Sequence, residues 1–239
     1  MIVLGLDTST VTSGIAIVDG DRLLADGRHD ASARHADLLV AVDGLCRRAG
    51  VAPAQLDAVA IGAGPGSFTG LRIGMATAKG IAFAARRPLW AVSSLAALGH
   101  DAAAVLDAAA VIGADHAGAV IAAVIDARRG EVFAGCFRGG APLGEERVLA
   151  PEAVAAWTEE LAAGAPVRYA GDALAVYPAL APLTEQWLTP AAPSGAAVAW
   201  LALAGPRQDV LTSGAPSYIR PSEAEVMYPD GVPGALRRR

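Results

Sequence analysis

The chain has 239 residues, 54% of them hydrophobic, and a formal net charge of -5. This acidic balance argues against a protein that grips RNA phosphates unaided, because such binding relies on clustered Lys and Arg side chains. The apolar stretches are short and are interrupted by 27 Gly and 15 Pro residues, so no segment is predicted to cross a membrane.

The cysteines and the first residues favour a cytoplasmic protein. Cys46 and Cys136 are the only cysteines and are far apart, unlike the clustered cysteines of a disulfide framework or a zinc site. Residues 1–7 have no basic region before their apolar run, so they are a poor signal peptide and are predicted to form a first strand. We therefore expect a soluble protein in a reducing compartment.

The first half of the chain is predicted to contain both strands and helices. A three-strand meander comes first, because apolar runs alternate with turns and Asp19-Gly20 is a strong hairpin signal. Apolar residues at helical spacing predict the helix that carries Leu38 and Val42. In chain order the predicted elements are strands 2–6, 14–18 and 22–25, a helix 34–49, a strand 56–61, a helix 71–85, a strand 89–92 and a helix reaching about residue 110.

The second half repeats the order of the first. An apolar strand ends in Asp7 and passes a polar turn to Gly14, where the next strand begins. About half the chain later, Asp126 and Gly130 take the same places. The elements predicted for the second half are strands 119–125, 131–137 and 167–170 and helices 152–163 and 192–204. We therefore predict an α/β protein of two mixed-sheet halves with flanking helices. The predicted domains are residues 1–110 and 111–220, followed by a flexible tail at 221–239.

The most specific segment is a glycine-rich stretch at residues 62–74. A strand, a glycine loop and a helix in this order can form a nest of backbone N–H groups for a phosphate. The stretch lacks the lysine of a nucleotide-binding P-loop, and Ser67 stands where the dinucleotide fingerprint needs a third small residue. Phosphate binding and tight packing are both open at this point.

Small residues recur at every fourth position of the helix after this loop. The row consists of Gly70, Gly74, Ala78 and Ala82, and it is flanked by Leu71, Met75 and Ile81. Small side chains in one row let another helix approach closely. Inside a core this would be ordinary packing, and at a surface it would be a seat for a partner helix. The pattern does not choose between the two.

Four motifs in order along the chain resemble the TsaB family, a component of the bacterial machinery that makes threonylcarbamoyladenosine in tRNA. The segment GPGSFTGLRIG at residues 64–74 matches the signature of that family almost letter for letter. The others are LDTST at 6–10, IDARRGEVF at 125–133 and PSYIR at 216–220. Together they span nearly the whole chain, which makes them far more specific than one glycine loop.

The resemblance implies a duplicated ribonuclease-H-like fold of the actin-like ATPase (ASKHA) superfamily. It also implies that the helices at 34–49 and 71–85 pair with the related subunit TsaD, or with a second copy of this chain. The residues expected at that interface are Gly70, Leu71, Gly74, Met75, Ala78, Ala82, Leu38 and Val42.

The residues needed for independent catalysis are expected to be missing. Actin-like kinases bind phosphate at the loop after the first strand of each half, so Asp7, Thr8 and Ser9 are predicted to form a remnant phosphate loop. That loop lacks the glycine with which kinases bring their backbone close to phosphate. The histidines of the TsaD metal motif would fall at Ser94 and Leu98, so we expect no metal site.

The expected function is that of a non-catalytic scaffold subunit rather than an enzyme. It would bind TsaD and support threonylcarbamoyl transfer to the adenosine next to the anticodon. The resemblance implies that TsaE joins the full complex, and that ATP, metal and tRNA are bound by the assembled complex rather than by this chain alone. Two alternatives stay open: an independent actin-like ATPase or kinase, suggested by Asp7 and the glycine-rich stretch, and a plain homodimeric binding module.

Overall fold

The computed structural model describes residues 1–30, 37–111 and 118–220, which form two mixed β-sheets with flanking helices. The first sheet contains β1 (Ile2–Asp7), β2 (Thr12–Asp19), β3 (Arg22–Asp30), β4 (Ala58–Gly62) and β5 (Leu89–Val92), in the order β3-β2-β1-β4-β5. As predicted, the first three strands form an antiparallel meander, while β4 and β5 run parallel to β1. Every residue of β4 is buried, which is typical of a parallel strand covered on both faces.

Three helices follow strands of the first half: α1 (Asp37–Ala49), α2 (Phe68–Ala85) and α3 (Ser94–Val111). α1 and α2 pack on one face of the first sheet, where their apolar stripes join buried side chains of β1, β2 and β4. α2 begins after Ser67, whose hydroxyl accepts the backbone N–H of Gly70, and it ends at Arg86 in the left-handed conformation. The start predicted for α1, at residues 34–36, lies outside the described residues.

The second sheet repeats the centre of the first. It contains β6 (Val120–Arg128), β7 (Glu131–Arg138), β8 (Ala141–Pro142), β9 (Arg147–Leu149) and β10 (Val167–Ala170), in the order β10-β6-β7-β8, with β9 also paired to β7. β6 and β7 form a hairpin like β1 and β2, and β10 lies parallel to β6 as β4 lies parallel to β1. An isolated parallel bridge joins Tyr169 to Trp187, where β5 stands in the first sheet. The predicted duplicated fold is confirmed.

Helices of the second half complete its core. α4 (Val154–Ala162) and α5 (Ala173–Val176) cover one face of the second sheet, with buried side chains of β6, β7 and β10 beneath them. A last helix, α6 (Gly195–Ala204), begins after Ser194, whose hydroxyl accepts the backbone N–H of Ala197. None of the helices within the described ranges is long and apolar enough to span a bilayer.

In each half, one helix packs on the sheet of the other half. α3 follows the first sheet in the chain but packs on the second, where Leu95 and Leu98 share a core with Phe133. α6 follows the second sheet but packs on the first. A Cβ added at Gly5 would lie 1.9 Å from the carbonyl oxygen of Gly195, so this helix approaches β1 very closely. The domain boundary predicted between residues 110 and 111 stays a prediction. The residues that pack together around each sheet are not one continuous stretch of the chain, because α3 and α6 each pack on the sheet of the other half.

The elements missing from the sequence prediction are mostly short. They are β8, β9, α5, a 3₁₀ turn at Pro53–Gln55 and a longer 3₁₀ segment at Pro178–Gln186. Two to four residues carry too little periodicity to be recognised, and the longer 3₁₀ segment contains an internal proline. The tail predicted at 221–239 lies outside the described residues.

Candidate functional site

Asp7, at the end of β1, is completely buried. Its Oδ1 accepts the backbone N–H of Ser9 at 2.8 Å and the Ser9 hydroxyl at 2.5 Å, while its Oδ2 accepts the Ser94 hydroxyl at 2.7 Å. The Ser94 hydroxyl in turn accepts the backbone N–H of Gly64 at 3.1 Å. A Cβ added at Gly62 would lie 1.8 Å from Asp7 Oδ2. Asp7 is therefore the centre of a closed polar cluster that joins β1, the glycine-rich stretch and α3.

The glycine-rich stretch closes over the loop that follows β1. The hydroxyl of Thr8 donates to the carbonyl oxygen of Gly70 at 2.8 Å. Cβ atoms added at Gly66, Gly70 and Gly74 would lie 2.5, 2.1 and 2.1 Å from atoms of Ser9 or Thr8. Any larger residue would push α2 away from this loop, so the glycines are needed for close packing.

The residues predicted to form a remnant phosphate loop therefore have their side chains engaged inside the protein. Asp7, Thr8 and Ser9 are 0%, 3% and 2% exposed. A phosphate site needs N–H groups or hydroxyls that a ligand can reach, and here the glycine-rich stretch and α2 pack directly against the loop. Nucleotide binding at these residues stays a prediction, and the contacts described above argue against it.

Burial raises the pKa of Asp7 from its usual value near 3.8 to about 6, because removal from water disfavours the charged carboxylate. Hydrogen bonds from Ser9 and Ser94 and the positive charge of Arg28 act in the opposite direction and offset only part of this effect. A carboxylate with a pKa near neutrality can act as a general base where a substrate reaches it. Asp7 has no exposed surface, and burial is the largest cause of its raised pKa.

The equivalent position of the second half, Asp126, has a different environment. Its Oδ2 lies 3.1 Å from the Arg128 guanidinium, and its Oδ1 accepts the hydroxyl of Tyr177 at 2.7 Å. The backbone N–H of Asp126 donates to Asp172 Oδ1 at 2.8 Å. The Asp126 side chain is 5% exposed and that of Arg128 is 67% exposed, so this ion pair reaches solvent. Arg128 is thus engaged by a carboxylate of its own chain.

The interface residues expected from the sequence face the interior of the chain. Gly70 is partly buried, and the buried members of the set are Leu38, Val42, Leu71, Gly74, Met75, Ala78 and Ala82. The glycines of the row face Thr8, and its alanines belong to the core formed with β1 and β4. The row is therefore packed inside the chain, and a partner contact at these residues stays a prediction that their burial argues against.

The opposite sides of α1 and α2 carry exposed apolar residues. Leu39 and Val40 on α1 are 54% and 69% exposed, and Phe83 on α2 is 76% exposed. Ala76 and Gly80 are also exposed on α2, and a Cβ added at Gly80 would meet no atom within 4 Å. Single exposed apolar residues are common, but large ones on two helices of the same sheet face indicate an unpartnered surface. We call these five residues the outer face.

The two positions compared with the TsaD metal motif have structural roles. Ser94 donates to the buried Asp7 carboxylate, and Leu98 is buried in the core between α3 and the second sheet. Within residues 1–30, 37–111 and 118–220, no three His, Cys, Asp or Glu side chains form a group that could hold a metal ion.

The end of the described chain bridges both halves. The backbone N–H of Ser217 donates to the carbonyl oxygen of Ala63, just after β4, at 2.7 Å. Arg220 forms an ion pair of 2.9 Å with Glu131 at the start of β7. The PSYIR motif therefore has a structural location, although the sequence alone assigns no contact to it.

The sequence contains a signal for the outer face but not for the bridging contacts. Residues 38–42 read LLVAV, and five successive apolar residues cannot all face the core from one side of a helix. Phe83 is likewise out of phase with the small row that ends at Ala82. The bonds made by Ser94 and Arg220 join residues 87 and 89 positions apart, which no local pattern predicts.

Comparison with known proteins gives matches over most of the chain. The profile of the family described as TsaD: tRNA N6-adenosine threonylcarbamoyltransferase matches residues 29–221. A structure of an uncharacterized Pseudomonas aeruginosa protein with similarity to the peptidase YeaZ is 32% identical, with a TM-score of 0.73 over 92% of this chain and 99% of that one. A structure of YeaZ from Pseudomonas aeruginosa is 30% identical, with a TM-score of 0.70 over 91% of this chain and 99% of that one.

Curated relatives match over a shorter part. The tRNA threonylcarbamoyladenosine biosynthesis protein TsaB of Bacillus subtilis is 33% identical over 58% of this chain and 56% of its own length. TsaB of Escherichia coli is 32% identical over 56% of this chain and 53% of its own length. The chain thus spans about half the length of the curated relatives it matches.

Proposed function

Since the chain belongs to the TsaB (YeaZ) family within the TsaD-like, actin-like ATPase superfamily, we propose that it is a non-catalytic scaffold subunit in threonylcarbamoyladenosine modification of tRNA. It binds a TsaD-type threonylcarbamoyltransferase through the outer face of α1 and α2. The observation that carries the proposal is the exposure of Leu39, Val40 and Phe83 on helices whose other sides pack into the core.

The outer face has the chemistry of a helix-packing surface. Burying a large aliphatic or aromatic side chain contributes about 1.5–3 kcal/mol, so the three large side chains offer a substantial driving force for association. Ala76 and Gly80 have little side-chain volume and would let a partner helix come close to the α2 backbone. In the absence of TsaD, the same surface would join two copies of this chain as a homodimer.

The closed cluster around Asp7 supports a role without independent catalysis. An actin-like phosphotransferase needs carboxylates that can hold a metal or a water next to phosphate. Asp7 is fully buried and bonded to Ser9 and Ser94, and Asp126 is paired with Arg128. The carboxylates at both strand ends therefore bond to other groups of this chain, which disfavours the alternative of an independent kinase.

Ligands and further partners belong to the assembled complex in this proposal. ATP and metal are used there, TsaE joins TsaD and this chain, and the modification takes place in the cytoplasm. tRNA meets this chain only through the complex, a point supported by the net charge of -5.

Substitution of the outer face tests the proposed interface. Val40→Glu combined with Phe83→Glu should weaken binding to TsaD at least 100-fold in calorimetric titration, because both carboxylates would be buried in an apolar contact. Circular dichroism should show an unchanged fold, since both positions are exposed. Val176→Glu is the matched control, because Val176 is 47% exposed on α5 of the other half. Equal affinity of the double variant and the control would reject the interface.

Reconstitution tests the function itself. Threonylcarbamoyladenosine formation is assayed with TsaD, TsaE, the synthase TsaC, ATP, threonine, bicarbonate and tRNA, with and without this chain. Modification should depend on the chain and should persist in an Asp7→Asn variant that remains folded. Modification at an equal rate without the chain would reject the scaffold role. ATP turnover by the isolated chain, lost on Asp7→Asn, would establish the kinase alternative instead.

A further inference from the structure

We propose that residues 217–220 form a latch that ties the two halves together and fixes the angle between them. The segment contacts the first half through Ser217 and Tyr218, and the second half through Ile219 and Arg220. The halves are also joined through α3 and α6. The latch adds a separate connection, between α2 and the β6–β7 turn, which would limit rotation of one half against the other.

The first anchor attaches the latch to the glycine-rich stretch and α2. The backbone N–H of Ser217 donates to Ala63 at 2.7 Å, and a Cβ added at Gly64 would lie 2.8 Å from the carbonyl oxygen of Ser217. The Nε of Arg72 donates to the hydroxyl of Tyr218 at 3.0 Å. Gly64 therefore leaves the space in which the latch backbone lies.

An aromatic stack reinforces the first anchor. The Arg72 guanidinium lies 3.9 Å from the centroid of the Phe68 ring, and the Tyr218 ring lies 5.0 Å from the same ring at an angle of 34°. Cation–π and tilted aromatic contacts of this kind are favourable at these distances. Tyr218 is therefore held both by its ring and by its hydroxyl.

The second anchor attaches the latch to the turn between β6 and β7. One guanidinium nitrogen of Arg220 lies 2.9 Å from Glu131 Oε2 and 3.4 Å from the carbonyl oxygen of Arg128, and the group lies 5.8 Å from the Phe133 ring centroid. Ile219 packs against the core shared by α3, β6 and β7. The Arg220 and Glu131 side chains are 28% and 42% exposed, so salt weakens their ion pair. The packing of Ile219 adds a contact that salt does not screen.

The short distance between the anchors makes them interdependent. Two residues of extended chain span only about 7 Å, so any larger separation of α2 from the β6–β7 turn must break one anchor. On the α3–α6 side, Ser194 donates its backbone N–H and hydroxyl to Asp101 at 2.7 Å each. The Ser93 hydroxyl also donates to Glu146, and Arg28 donates to the carbonyl oxygens of Ala192 and Pro193. The latch adds a further connection between the halves, and each added point of attachment reduces the freedom of one half to rotate against the other.

Hydrogen exchange tests whether the latch acts as one unit. In the full chain, Arg220→Ala should speed exchange of the Ser217 amide at least tenfold, because losing the second anchor releases the first. Glu131→Gln keeps the side-chain shape and removes only the charge, and it should speed the same amide about threefold. Arg138→Ala is the matched control, since Arg138 bonds to Ala162 within the second half and does not reach the first. A Ser217 amide that exchanges at the wild-type rate in Arg220→Ala would overturn the proposal.

Distance measurements test whether the latch fixes the angle. Spin labels are placed on Asp21→Cys in the first half and Glu160→Cys in the second, both exposed, while the native Cys46 and Cys136 are buried. Excess unlabelled chain removes distances between copies. Arg220→Ala together with Tyr218→Ala should at least double the width of the distance distribution. An unchanged distribution would overturn the proposal, even if the Ser217 amide exchanges faster.

Discussion

Asp7 and Asp126 stand at equivalent places in the two halves, yet their bonding partners differ. Asp7 is fully buried and accepts hydrogen bonds from Ser9 and Ser94. Asp126 pairs with the guanidinium of Arg128, which is 67% exposed. The duplicated backbone therefore repeats the position of a carboxylate without repeating its electrostatic environment.

The difference comes from what packs against each strand end. A Cβ added at Gly62, at the end of β4, would meet Asp7 Oδ2 at 1.8 Å. Asp126 instead lies against Arg128, whose side chain is 67% exposed. In the first half the glycine-rich stretch and α2 seal the strand end. In the second half the Asp126 side chain is 5% exposed and pairs with Arg128 at the β6–β7 turn.

The largest effect on the free energy of unfolding is expected where α2 packs against the loop that follows Asp7. Gly74→Leu should lower the free energy of unfolding by about 4 kcal/mol, because its side chain would enter the space of Thr8, whose Oγ1 lies 2.1 Å from an added Cβ. Gly80→Ala on the same helix should instead stabilise the protein by up to about 1 kcal/mol, since nothing lies within 4 Å there. Urea unfolding followed by circular dichroism measures both. Equal effects of the two substitutions would contradict the close packing of α2 against Thr8.

A smaller effect is expected in the pH dependence of stability. The pKa of Asp7 is raised from about 3.8 to about 6, so the folded state binds this proton more tightly than the unfolded state. The resulting stabilisation is full below pH 3.8 and is lost as the pH rises through about 6, a change of about 3 kcal/mol. The stability difference between the wild type and Asp7→Asn, measured from pH 4 to 7, should therefore shrink or reverse as the pH rises. A constant difference across this range would contradict the raised pKa.

The smallest effect is expected from removing one hydroxyl at each strand end. Ser94→Ala should cost about 2 kcal/mol, because it leaves the buried Asp7 Oδ2 and the Gly64 N–H without this partner. Tyr177→Phe removes hydrogen bonds to Asp126 Oδ1 and to the carbonyl oxygen of Glu131, and it should cost about 1 kcal/mol because this site is closer to solvent. Thermal unfolding of both variants gives the comparison. A larger loss for Tyr177→Phe would show that the second strand end is the more tightly closed one.

The sequence predicts the fold well because its signals are local. The Asp19-Gly20 turn specifies the first hairpin, and apolar runs predict the strands that become β1, β4 and β6. The recurrence of Asp7 at Asp126 predicts the duplication that the two sheets confirm. Each of these signals involves residues that are close in the chain or repeat a simple order.

The candidate site is predicted only in part, because its contacts are not local. The row from Gly70 to Ala82 is a correct reading of a helix face, but periodicity cannot say whether that face meets the core or a partner. The structure buries it and exposes Leu39, Val40 and Phe83 instead.

By itself the sequence determined a duplicated α/β chain whose motifs resemble TsaB, since strand and helix periods and turn residues act over a few positions. Only the tertiary structure decided that Asp7 is buried and hydrogen-bonded inside the protein, because Ser94 and Gly62 contact it from elements far along the chain. It also decided which side of α2 meets solvent and where the chain end docks. Burial depends on which surfaces meet, and that is a property of the whole packed molecule.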